Sequence, residues 1–111
     1  QNGHLVGAST HADKFAWLET EREFGDFELR LEYRWQTVGG DSGIAIRAKK
    51  FAGWPPYDGL ELNLADDTNA EDLHGRPPAD WDRTGSLSGF AKPTGSAPKR
   101  IGEGNSVKIT A

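Results

Sequence analysis

Hydrophobic and polar residues alternate most strictly between residues 26 and 37. Phe27, Leu29, Leu31, Tyr33 and Trp35 fall on one face, and Glu28, Arg30, Glu32 and Arg34 on the other. Five successive matches to a period of two predict a β-strand, since the apolar stripe of a helix recurs at three and four residues. Charge alternates in sign along the polar face, which suits a solvated outer surface. Two shorter segments alternate as well. Residues 40–48 set Ile44 and Ile46 together, and residues 59–67 set Leu60, Leu62 and Leu64 together. The opposite faces carry Arg47 from the first segment and Glu61 and Asn63 from the second. If the two strands are neighbours, a guanidinium, a carboxylate and an amide converge on one patch of sheet, in outline a small-molecule site. The plainer alternative is an Arg47–Glu61 cross-strand ion pair on a solvated face.

The same reading places strands at 4–7 (after an Asn2-Gly3 turn signal), 15–20, 26–37, 42–49, 59–66, 85–91 and 105–111. Residues 38–41 (VGGD) read as a hairpin connection, because glycine supplies the positive φ of a tight turn. Pro55 and Pro56 make 51–58 a loop. Residues 67–83 form a polar excursion long enough to carry function. No segment shows helical periodicity. Seven short strands with turn signals between them predict an all-β antiparallel sandwich, with Trp17, Phe27, Tyr33 and Trp35 in its core.

At 111 residues the chain is one domain. A net charge of −4 argues against a nucleic-acid partner, and no apolar run reaches the roughly 20 residues that cross a bilayer. The lack of cysteine removes disulfides and thiolate metal sites from consideration. The chain begins with Gln1 and has no methionine, so a processed or excised piece of a longer protein is expected.

Several side chains outside the alternating strands invite a chemical reading. Asp66, Asp67, Asn69, Glu71 and Asp72 make an oxygen-rich cluster of the kind a divalent cation such as calcium favours, although the spacing completes no calcium-loop motif and a solvated acidic loop is the leading explanation. His74 stands in the 67–83 excursion as an acid/base candidate or a surface residue, whereas His4 and His11 offer nothing. Trp54, Tyr57 and Trp81 flank the strands in loops, where an aromatic ring either stacks on a pyranose or covers a sheet edge. Ser42 has no neighbouring base to make it a nucleophile, which leaves it a hydroxyl-binding role or a place in the turn.

Taken in order, FGDFELRLEYR (24–34), GDSGIAIR (40–47), GLELNLADD (59–67), TGSLSG (84–89) and GEGNSVKI (102–109) resemble the 3-keto-disaccharide hydrolase family. The resemblance implies a jelly-roll sandwich of the concanavalin A-like lectin/glucanase type. It also implies cleavage of glycosidic bonds in sugars carrying a C3 ketone, mostly in bacteria that degrade plant or host glycans, which makes a periplasmic or extracellular site the expectation. The reaction so implied removes the C2 proton, acidified by the neighbouring ketone, and expels the group at C1. Glu61 is then the general base. Asn63 and Arg47 are hydroxyl or enolate ligands, and Asp66 borders the pocket. Where the family has an aromatic, a glutamine, an aromatic and a tryptophan, this chain has Leu60, Asn63, Ser88 and Gly104. The family domain continues past its match to 102–109, so the expectation is a fragment, or a sandwich completed by a second chain. A non-catalytic carbohydrate-binding module is the runner-up on such a fold, and an accessory structural domain is a third reading.

Overall fold

The computed structural model describes residues 2–8, 16–50, 57–95 and 99–111, with the side chains of all of these except Lys50 and Tyr57. Among them four strands form: β1 (Glu28–Tyr33), β2 (Asp41–Lys50), β3 (Tyr57–Ala65) and β4 (Asn105–Thr110). Between β3 and β4 come a 3-10 turn at Asp67–Asn69 and the helix α1 (Ala70–His74). Five residues are under two helical turns, too few to imprint a periodic stripe on the sequence.

The strands pair antiparallel as two two-stranded sheets, β1 with β4 and β2 with β3. The architecture is therefore all-β and sandwich-like, as the alternation predicts. The connection at 38–41 is not a hairpin, because β1 and β2 belong to different sheets. Gly39 turns at φ 80°, and the space where a Gly40 side chain would stand is filled by the Trp35 ring. The turn is tied instead to the end of β3: Gly39 N–H donates to Asp66 Oδ2 at 2.9 Å, and Asp66 N–H donates to Gly40 O at 2.8 Å.

In the β1–β4 sheet the half-buried pairs are Leu29↔Ile109 and Leu31↔Val107, while Glu28↔Thr110, Arg30↔Lys108 and Glu32↔Ser106 face solvent. Reciprocal bonds between Phe27 and Ala111, 2.7 and 3.0 Å, lengthen the ladder by one pair. Glu28 accepts from Arg30 at 2.6 Å and lies 3.2 Å from Lys108 Nζ. This is the solvated ion-pair face that its alternating charges predict.

The β2–β3 sheet aligns Asp41↔Ala65, Gly43↔Asn63 and Ala45↔Glu61 on one face, and Ser42↔Leu64, Ile44↔Leu62 and Ile46↔Leu60 on the other. Its free β3 edge is covered by residues 85–88, through Asn63 N–H to Ser86 O and Ser88 N–H to Glu61 O, both 2.9 Å. That segment, expected to be a strand, makes only isolated bridges, Leu62↔Leu87 and Leu87↔Ala91. Gly89, at φ 78°, reverses the chain before a ladder can extend.

Residues 4–7 and 16–20 carry no strand, although Asn2-Gly3 does form the expected turn. Leu64 and Ala70 are the buried hydrophobic residues among those described; Phe27, Tyr33 and Trp35 are half-buried, and Trp17 is 41% exposed rather than in the core. Trp17 lies in a segment with too little alternation to define an inward face. Links between the layers include Trp35 over Gly40, Arg47 to Asp26, and the Thr84 hydroxyl. Thr84 bonds both Ala65 backbone groups and Tyr33.

Candidate active site on the β2–β3 sheet

Glu61 and Asn63 share their face of the sheet with Gly43, and that glycine shapes the site. A Cβ at Gly43 would collide with Glu61 Oε1 and stand 2.6 and 2.7 Å from its Cγ and Cδ. The Glu61 side chain therefore folds back across β2 and lies on the Gly43 backbone. Asn63 is held beside it by its Nδ2, which donates to the Asp82 carbonyl. A tight approach of a second kind occurs at Gly59, where a Cβ would stand 2.7 Å from Ile46 O and 2.8 Å from Ala48 Cα. This contact sits against a bulge in β2 between Ile46 and Lys49.

The bulge redirects Arg47. Its φ is 52°, the left-handed region that a branched or long side chain seldom occupies. From there Nη2 reaches Asp26 Oδ1 at 2.9 Å, and the guanidinium carbon lies 5.8 Å from the Phe27 ring centre. Simple alternation set Arg47 beside Glu61, but the extra residue of the bulge breaks the period and turns the guanidinium to the start of β1.

Asp66 is buried, and its carboxylate is a structural clamp. It accepts from Gly39 N–H, from Thr68 Oγ1 at 3.0 Å, and from Asn69 Nδ2 at 2.9 Å on both oxygens. Burial by itself would raise its pKa, but these donors outweigh burial and hold it below the ordinary aspartate value. An acid so firmly ionised and so fully bonded is poorly suited to moving a proton. It also has little capacity left for a cation. Among the described residues no group of three or more His, Asp or Glu is arranged to hold a metal.

The other residues singled out in the sequence disperse. Ser42 lies opposite Leu64 on the apolar face, away from Glu61. His74 ends α1 as an exposed residue. Trp54 lies outside the described residues, as does the Tyr57 side chain, whose backbone pairs with Lys50. Trp81, 51% exposed, adjoins the Asp82 that holds Asn63, and its carbonyl accepts from the buried Ser86 hydroxyl at 2.9 Å.

Two acids join the site that sequence reasoning passed over. Asp41 is on the Gly43 face, one pleat repeat away. Packing around its carboxyl group raises its pKa, the charge of Asp82 raises it further, and a hydrogen bond from Ser42 N–H offsets part of this. Counting back by two from Gly43 would have found Asp41, which instead was absorbed into a turn. Asp82 had no such signal, since its place depends on how a loop folds over β3. Nearby, burial raises Asp67 despite its bonds from Thr84, and Asp67 Oδ1 and Trp35 Nε1 are buried without partners among the described residues. An open depression of about 700 Å³ lies over Arg30, Leu31, Glu32, Ser106, Val107 and Lys108. It belongs to the other sheet and shares no residue with the Glu61 face.

The family model of the 3-keto-alpha-glucoside-1,2-lyase-like domain matches residues 1–111. The chain belongs to this family. That membership makes it a glycan-processing domain, as the ordered motifs imply. Comparison with curated proteins gave no match, and neither did comparison with solved structures. No helix among the described residues is long and apolar enough to cross a membrane.

Proposed function

We propose that this domain cleaves the glycosidic bond of 3-keto-glycosides by removing the proton next to the ketone, with Glu61 as the base. The observation that carries the reading is the Glu61 carboxylate lying on the side-chain-free surface of Gly43, with Asn63 fixed alongside by Asp82. A base held in one orientation by a rigid strand gains rate through positioning. Asn63 Nδ2 spends one N–H on the Asp82 carbonyl and has a second to offer an enolate oxygen as charge develops there. Trp81, exposed beside Asp82, supplies an aromatic surface for a sugar ring. Arg47, turned to Asp26, stands at the margin of this arrangement.

The test is Glu61→Gln, which keeps shape and removes the base. Turnover of a 3-keto-glucoside should fall about 10²- to 10⁴-fold, with sugar affinity by calorimetry retained. Binding without turnover in the unmutated protein would favour the lectin reading. Full turnover in Glu61→Gln would remove Glu61 from the mechanism.

A further inference from the structure

We propose that Asp41 is the acid partner of Glu61, protonating the oxygen that leaves C1 while Glu61 takes the proton from C2. The proposal rests on the elimination chemistry inferred above and assigns its second proton. Asp41 and Gly43 are same-face neighbours in β2, so their positions are about 7 Å apart along the strand. Because the Glu61 carboxylate lies on Gly43, the two acids stand one pleat repeat apart on one face of the sheet. Carboxyl groups roughly 5–10 Å apart can flank a glycosidic linkage from two sides. Glu61 belongs to β3 and Asp41 to β2, so the hydrogen-bonded ladder itself fixes their spacing.

Their surroundings divide the roles. Packing around the Asp41 carboxyl group favours its protonated form, and the charge of Asp82 adds to this. A carboxyl group whose protonated form is favoured is the better placed of the two to donate a proton to the leaving oxygen. In the step, the C2–H pair becomes the C1=C2 double bond and the C1–O pair departs with the leaving oxygen. That oxygen takes the Asp41 proton as Glu61 gains the one from C2. The products are an alcohol and an unsaturated 3-keto sugar. Proton return from Glu61 to Asp41 through solvent closes the cycle with no further reactant.

The experiment compares Asp41→Asn with the unmutated protein on two 3-keto-glucosides, one releasing an alkyl alcohol and one releasing 4-nitrophenol. An alkoxide needs a proton to leave; a nitrophenolate does not. Asp41→Asn should lose about 100-fold or more in kcat on the alkyl glycoside and less than tenfold on the nitrophenyl glycoside, with KM little changed on both. Equal loss on both substrates, or none on either, would overturn the assignment while leaving the elimination reading intact. No turnover of either by the unmutated protein would overturn both. If Asp41→Asn does not fold, the unmutated protein decides the matter across a series of leaving groups. A shallow dependence of rate on leaving-group acidity supports Asp41, and a steep one overturns it.

Discussion

The two sheets begin from the same sequence device, a strand with alternating apolar and polar positions, and put it to different uses. In the β1–β4 sheet the polar positions are long, charged side chains that meet one another in water, as Glu28 does with Arg30 and Lys108. In the β2–β3 sheet the polar positions of one strand face small residues of the other: Glu61 opposite Ala45, and Asn63 opposite Gly43. The Glu28 carboxylate meets long charged neighbours in solvent; the Glu61 carboxylate lies against the backbone of Gly43. The alternation in the two sheets is equivalent, and the size of the cross-strand partner separates a surface from a candidate site.

Substitutions at the small residues should break this difference most strongly. Gly59→Ala pushes a methyl group into the backbone of Ile46 and Ala48, neither of which can turn aside as a side chain would. Loss of about 3 kcal/mol is expected, seen as a lower urea midpoint; an unchanged midpoint would show that the bulge yields. Gly43→Ala meets the flexible end of Glu61 instead, so the carboxylate should move while the strand stays. A fall in kcat of about 100-fold with little change in melting temperature is expected. A large melting shift with activity intact would make Gly43 a folding residue alone.

Asp66→Asn tests the clamp that joins the two regions at Gly39. Removing its charge should cost about 2 kcal/mol near neutral pH. Its folded pKa is lowered, so this contribution is present above the unfolded value near 4 and disappears as pH falls through the folded value. The gap between the two proteins should close in acid; a gap constant with pH would contradict the charge-based account. Asp41 and Asp67 have the opposite sign. Their raised values make a contribution that is full in acid and lost as pH rises through them. The smallest effect belongs to the other sheet: Glu28→Gln should change stability by less than about 0.5 kcal/mol, since its partners are largely exposed. It should leave activity as it was.

What was legible in the sequence follows the reach of each signal. The positions and faces of β1 to β4 were readable because alternation is local, and the placement of Glu61 with Asn63 follows from it. The weaker patterns at 4–7, 15–20 and 85–91, by contrast, predicted strands that residues 4–7, 16–20 and 85–91 do not form. Strand partners were not readable. The glycines at 39 and 40 suit a hairpin as well as a crossover, and only the Trp35 ring over Gly40 and the bonds to Asp66 separate the two. Arg47 was misplaced because one bulge residue shifts every face assignment after it. Asp82 reaches the site through a loop that carries no period, and Asp66 resembles its acidic neighbours until its donors are seen.

The clamp at Asp66 also bears on the order in which the chain can assemble. Asp41 and Ala65 enclose a short loop, and the bonds between Asp66 and residues 39–40 close it at its base. Glu28 and Thr110 enclose one more than three times as long. Closing the longer loop costs about 1 kcal/mol more in chain entropy. The β2–β3 hairpin with its Glu61 seat is thus the more local unit and the natural one to form early, while the β1–β4 pairing waits for β4 to return.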